Sequence, residues 1–287
     1  MNNKRCYNKH YYKNSKLAEV IQLFEEKSRN YTGIDFSKAP KGSKKVLITG
    51  FDPFILNQFN HPDNKSFSNI LQSNPSGIVA LALANSDKLG AFIQTMAVPV
   101  RYTDFDRSQD NAKGQGEGII EKYIKPFINQ VDMIITISQY LENENVIDMF
   151  GTSRRGGFND NMDFVRKNGS QAISTELEWI QTTLPKTFAN ANGVKINWKF
   201  DRIEHIENTY PNKEESLSND SGGDYLSNEI FYRVGKLRSE IRPKLATGHF
   251  HIEKIQDESI KENLKDNEIR NLLSLVKKGI EEGLKGI

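Results

Sequence analysis

A single cysteine, Cys6, stands in 287 residues, so an internal disulfide is excluded and a cysteine-built zinc site is not expected. Tryptophan (2) and proline (9) are also scarce. No apolar run approaches the length of a membrane-spanning helix, which argues against an integral membrane protein. Charge of one sign is lacking too: 39 Lys plus Arg against 37 Asp plus Glu leaves +2, giving no bulk attraction to nucleic acid or a membrane surface. The basic N-terminus MNNKRCYNKHYYKNSK has no apolar stretch behind it, so a secretory leader is not expected and the cytoplasm is the expected address. Cys6 lies in that polar stretch and reads as an exposed side chain rather than an activated thiol.

What is present is a polar chain, mean hydropathy −0.62, with 16 Phe and 10 Tyr to supply a core. Residues 1–43 read as an N-terminal extension. Leu17, Val20, Ile21 and Phe24 recur at helical spacing, and Thr32 to Ser43 has the composition of a linker. Residues 44–287 then form one α/β domain. Strands are expected at Val46 to Ile48, Ala91 to Val98, Met133 to Ile137 (the purest apolar run, hence central) and Val194 to Trp198. Helices are expected at Ile78 to Ala84, Ile119 to Ile128, Leu177 to Phe188, Leu226 to Leu237 and from about Asn267 onward. Alternation of this kind gives a mostly parallel central sheet with helices on both faces. Ile55 to Ser73 and Asp201 to Glu215 read as polar insertions.

In such sheets chemistry sits beyond the carboxyl ends of the strands. That directs attention to Gly50 to Phe54, Ser138 to Glu144, Ser218 to Ser227, and the His249-Phe250-His251 segment. The two histidines alternate on one strand face. His-x-His also suits a metal, but the sequence offers no obvious third ligand, so neither metal nor cofactor is expected. Ser218 to Ser227 is rich in small and turn-forming residues and leads into an amphipathic helix. A hydroxyl there is either an ordinary N-cap or a nucleophile facing unpaired backbone N–H groups.

Lys45-Val46-Leu47-Ile48-Thr49-Gly50-Phe51-Asp52-Pro53-Phe54 resembles the opening strand and loop of the pyroglutamyl peptidase I family, the pyrrolidone carboxyl peptidases. Asn74-Pro75-Ser76, Val98-Pro99-Val100, Val131-Asp132 and Thr183-Leu184-Pro185 follow in that family's order, so the resemblance runs from about Lys45 to the C-terminus. It implies a phosphorylase/hydrolase-like sandwich and a Cys-His-Glu triad. Carried over by motif, the nucleophile falls on Ser227, with serine in place of cysteine. The histidine falls on His251, 24 residues later, and the glutamate on Glu144, with Glu142 as the alternative register. Arg154 falls on the family's arginine, within one residue of register, and Phe51 and Phe54 on aromatics of its pyroglutamate pocket.

This chain departs from the family at Ser227, at Ile55-Leu56 where the family has Gly-Gly, and at Ser138-Gln139-Tyr140 where it has a Gly-Leu-Ala loop. The resemblance implies a hydrolase acting on a peptide or small amide, through a Ser-His-Glu variant of the triad. The alternative is a catalytically silent binding module. Oligomers are common in that family, so self-association stays open.

Overall fold

The computed structural model describes residues 15–53, 73–106, 116–140, 142–156, 159–162, 171–173, 177–200, 209–211, 223, 225–255 and 262–287. Six strands make the main sheet: β1 (Lys44–Phe51), β2 (Ala91–Val98), β3 (Met133–Gln139), β4 (Asn145–Asp148), β9 (Val194–Asn197) and β10 (Ala246–Ile252). Their spatial order is β2-β1-β3-β10-β4-β9. β2, β1, β3 and β10 run parallel, β4 runs antiparallel to β10, and β9 is parallel to β4. Short ribbons complete the strands: β5 (Phe150–Thr152) pairs with β8 (Trp179–Gln181), and β6 (Arg154–Arg155) with β7 (Gln171–Ala172).

Among the described residues, six α-helices accompany them: α1 (Ser15–Ser28), α2 (Pro75–Leu83), α3 (Tyr102–Phe105), α4 (Ile119–Tyr123), α5 (Leu226–Ile241) and α6 (Glu262–Leu284). Strand alternation divides the core in two. Val46 and Ile48 point toward α2 and α6, where Val79, Leu83, Val276 and Ile280 bury them. Leu47 and Ile134 point to the opposite face, against Ile120 of α4 and Ile230 and Val234 of α5. Helices therefore cover both faces of a mostly parallel sheet with β3 inside it.

One expected helix is absent. Leu177, Ile180, Leu184 and Phe188 mimic a helical stripe, but they serve two cores. Ile180 packs with Phe231 and Tyr232 on the α5 side, whereas Leu184 and Phe188 join the α6 side. The chain crosses between faces as β8, the Thr182-Thr183-Leu184-Pro185 turn and a 3-10 turn at Lys186–Asn190. The linker-like stretch after α1 is packed as well: Tyr31, Ile34 and Phe36 are buried, with Tyr31 stacked on Tyr123 at 4.6 Å. Arg29 donates to Asp52 at 2.8 Å, tying the end of α1 to the loop after β1. The stretch Ile55 to Gln72, most of the proposed insertion at Asp201 to Glu215, and Phe54 lie outside the described residues.

The turn from β1 toward α2 depends on close backbone approach. A Cβ on Gly50 would lie 2.2 Å from the Ser76 carbonyl oxygen. The Asn74 side chain accepts from the Ser76 N–H and donates to the Asp52 carbonyl, capping α2 while fixing the loop after β1. Gly50→Ala should therefore destabilise the chain by about 1–3 kcal/mol, the usual range for overpacking, as read by chemical denaturation. An unchanged midpoint would contradict this packing.

Candidate active site

On the α5 face, β3 begins apolar and turns polar toward its carboxyl end, Ile134 giving way to Thr136 and Ser138, while β10 is polar along its length with Thr247, His249 and His251. Parallel register sets His249 beside Thr136 and His251 beside Ser138. Antiparallel β4 sets Asp148 beside His249, two register pairs deeper than His251, which faces Val146. The result is a buried polar platform at the rim of the sheet.

His251 is 5% exposed, and its Nδ1 lies 2.6 Å from Asp148 Oδ2. Asp148 is fully buried and also accepts from Asn197 Nδ2 at 3.2 Å. Burial pushes its carboxyl above the ordinary carboxylate range, opposed by the charge of His251 and by the hydrogen bonds from His251 and Asn197. His249 bridges Thr136 Oγ1 through Nδ1 and Ser138 Oγ through Nε2, each at 2.7 Å. Burial, reinforced by the neighbouring His251, holds its pKa well below the usual histidine value. His249 is thus a neutral imidazole near pH 7, set edge-on to His251 with ring centroids 4.5 Å apart. Tyr140, just past β3, covers His251 with its ring centroid 5.0 Å away.

Ser227 is the second residue of α5, behind the N-cap Tyr225. A short connection returns the chain from α5 into β10, so helix and strand are antiparallel. Phe231, one turn along α5 from Ser227, stacks on His249 at 5.9 Å. Ser227 consequently stands one turn nearer the rim, at the end of β10 that carries His251. The next two side chains anchor this turn. Asn228 accepts from Thr152 N at 2.9 Å and donates to the Thr152 and Arg154 carbonyls at 2.9 and 3.1 Å. Glu229 pairs with Arg155 and with Arg233. Both anchors reach the segment that directly follows β4 and Asp148.

Ser227 and His251 therefore lie at one end of the sheet, whereas three other expected residues are engaged elsewhere. Glu144 does not hold the histidine. It precedes β4, and its carboxylate meets Lys195 Nζ at 2.6 Å with 40% of the side chain exposed. The carboxylate on the imidazole is Asp148, the last residue of β4, which the antiparallel register sets beside His249, whereas Glu144 lies outside the strand. Glu142 is likewise exposed. The Arg154 guanidinium is held bidentately by Glu178, at 2.6 and 2.9 Å. Its neighbour Arg155 is the buried one, 1% exposed between Asp106 and Glu229. Phe51 is a core residue, 4% exposed and stacked on Phe105 at 6.3 Å.

Asp148, Asn197 and Thr136 escape motif reading. For Asp148 a signal exists in the sequence: it is a carboxylate set inside the apolar run Val146-Ile147-Asp148-Met149-Phe150, where an acid needs a buried partner. The pair His249 and His251 also acquires the third ligand type that the sequence does not reveal, since Asp148, His249 and His251 each offer a ligand atom within 4.8 Å of the others. Among the described residues no helix is long and apolar enough to cross a membrane.

Comparison with known proteins finds the same fold elsewhere. Pyroglutamyl peptidase I from Bacillus amyloliquefaciens shares the fold, with a TM-score of 0.54 at 18% identity over 84% of this chain and 97% of that one. A mutant pyrrolidone carboxyl peptidase from Pyrococcus furiosus does so with a TM-score of 0.57 at 18% identity, over 85% and 99% of the two chains. The uncharacterized protein PA0049 of Pseudomonas aeruginosa is 24% identical over 330 residues, covering 82% of this chain and 58% of that protein. This chain thus spans somewhat more than half the length of that relative. The family model described as "PA0049, C-terminal domain" matches residues 45–197, a stretch that contains Asp148 but ends before Ser227 and His251. With more than half of the sequence matched, this chain belongs to the PA0049 C-terminal domain family.

Proposed function

We propose that this chain is a hydrolase of small amides, in which Ser227 is the nucleophile, His251 the general base and Asp148 the carboxylate that orients the imidazole. The observation that carries the reading is the 2.6 Å contact between Asp148 Oδ2 and His251 Nδ1, buried at the strand rim near the start of α5. The shared fold of the pyroglutamyl peptidases supports an N-terminal pyroglutamyl peptide, or a related cyclic or acyl amide, as the substrate class.

The chemistry follows from the side chains. With Asp148 ionised, Nδ1 of His251 carries the proton and Nε2 the lone pair. A serine hydroxyl does not ionise near neutral pH as a thiol does, so Nε2 must take its proton as Oγ attacks the carbonyl carbon. The carbonyl π pair moves onto oxygen, where backbone N–H groups and the helix dipole at the start of α5 offer stabilisation. Collapse breaks the C–N bond, and the imidazolium returns its proton to the leaving amine. Water then cleaves the acyl-serine by the same route. No step requires a metal or an organic cofactor.

Wild-type chain should release aminomethylcoumarin from pyroglutamyl-aminomethylcoumarin, and Ser227→Ala should lower that rate by at least about a thousandfold. A Ser227→Ala variant as fast as wild type would end the nucleophile assignment. A silent wild type with an active Ser227→Cys would show a scaffold competent for thiol chemistry in a chain that does not itself turn over.

A further inference from the structure

We propose that Asp148, His249 and His251 also form a site for a divalent transition-metal ion of the zinc type, and that its occupation silences the His251 base. The first observation is geometric. Two imidazoles and a carboxylate, all buried and all on strands, offer ligand atoms within 4.8 Å of one another. Tetrahedral zinc, with bonds of about 2.0–2.1 Å, sets its ligands about 3.3 Å apart. The widest pair needs to close by at most about 1.5 Å, while Asp148 Oδ2 and His251 Nδ1, 2.6 Å apart, open slightly and exchange their hydrogen bond for bonds to the ion.

The second observation concerns charge. Buried Asp106 and Glu229 both face the guanidinium of Arg155, and Glu229 faces Arg233 as well. Asp148 is buried just as completely, yet among the described residues its side-chain partners are His251 and the amide of Asn197. It is a buried carboxyl group beside two imidazoles, with no lysine or arginine on it among the described residues, a set of donors matched to a borderline-soft cation.

The hydroxyls of the platform define the cost. Nε2 of His249 is bonded to Ser138, the register partner of His251, and so lies on the rim side where the ion would enter. Binding exchanges this hydrogen bond for a metal–nitrogen bond. Thr136, on Nδ1 of His249, then serves as the outer-shell partner that fixes the ring and its tautomer. Three protein ligands leave a fourth position for water.

The test is titration of the full-length chain with Co(II) followed in the visible range, and with Zn(II) by calorimetry. One equivalent should bind, with the intense absorption of a low-coordinate Co(II) site. Asp148→Asn and His249→Gln should each weaken binding by more than about 100-fold, beyond the 10–100-fold typical of losing an outer-shell partner. Ser138→Ala, which frees Nε2 of His249, should bind metal at least as tightly as wild type, whereas a purely structural role for this cluster predicts weaker binding. Thermal melts of the metal-free variants separate ligand loss from misfolding. Replacing His10, His61 and His205 together with glutamine should leave the stoichiometry at one. Absence of binding at micromolar metal, or binding that survives both ligand substitutions, would overturn the site.

Silencing rests on the proposed hydrolase. Where amide turnover is measurable, zinc should abolish it in proportion to occupancy and a chelator should restore it. Turnover that ignores or increases with occupancy would overturn the inhibitory role while leaving the binding result intact. A chain without turnover leaves the metal titration as the deciding measurement.

Discussion

Asp148→Asn should lower turnover of a pyroglutamyl amide by about 10⁴-fold with little change in KM, while Glu144→Gln leaves it within about twofold. The substitution is isosteric, so neither cavity nor clash accompanies it. What changes is the partner of His251 Nδ1. A carboxylate accepts its proton, fixes the tautomer with the lone pair on Nε2, and stabilises the imidazolium that forms during attack. An amide can donate to Nδ1 and so favour the wrong tautomer. Its loss of negative charge also removes the stabilisation of the cation at the transition state. Glu144 does neither, because its carboxylate points to Lys195 in solvent. Initial-rate kinetics on both variants decide between the two acids. A large loss in Glu144→Gln with normal turnover in Asp148→Asn would reverse the assignment.

Arg155→Met should destabilise the chain by about 3–5 kcal/mol, the cost of breaking a buried ion pair by removing one partner. For a chain of this size that corresponds to a fall in Tm of about 5–8 °C. Arg155 is 1% exposed between Asp106 and Glu229, and Glu229 also binds Arg233, which in turn reaches Glu121 at 2.8 Å. Removing the guanidinium leaves Asp106 and Glu229 under-compensated at the first turn of α5, two residues from Ser227. Loss of stability should therefore come with loss of any Ser227-dependent activity. Lys195→Met at the exposed Glu144 pair is the control and should leave Tm unchanged, because screened surface pairs contribute little. Equal melting of Arg155→Met and wild type would show that the buried network is not the anchor of α5.

The alternation of apolar runs was enough to read the four strands β1, β2, β3 and β9, and it fails where the chain changes face or direction. Leu177 to Phe188 reads as helical because its apolar spacing is close to 3.6, yet its side chains fill cores on opposite sides of the sheet. Spacing along the chain cannot distinguish one stripe from two. The same limit governs the carboxylate. Motif register points to Glu144, but the acid at the imidazole is set by the register in which β4 pairs with β10, which no local pattern specifies. Arg154 and Arg155 differ by one residue, and strand alternation sends one to Glu178 at the surface and the other into the core. Ser227 and His251 are easier to bring together on paper, because each sits at the boundary of a strongly patterned element, the start of α5 and the end of β10.

A nucleophilic hydroxyl activated by the Asp148–His251 pair is most directly tested by treating the chain with a fluorophosphonate and mapping the adduct by mass spectrometry. One phosphonyl group should appear on Ser227, and labelling should vanish in His251→Ala while the far-ultraviolet spectrum stays that of the wild type. An unlabelled wild type, or an adduct on Ser227 that forms as fast without the imidazole, would contradict it.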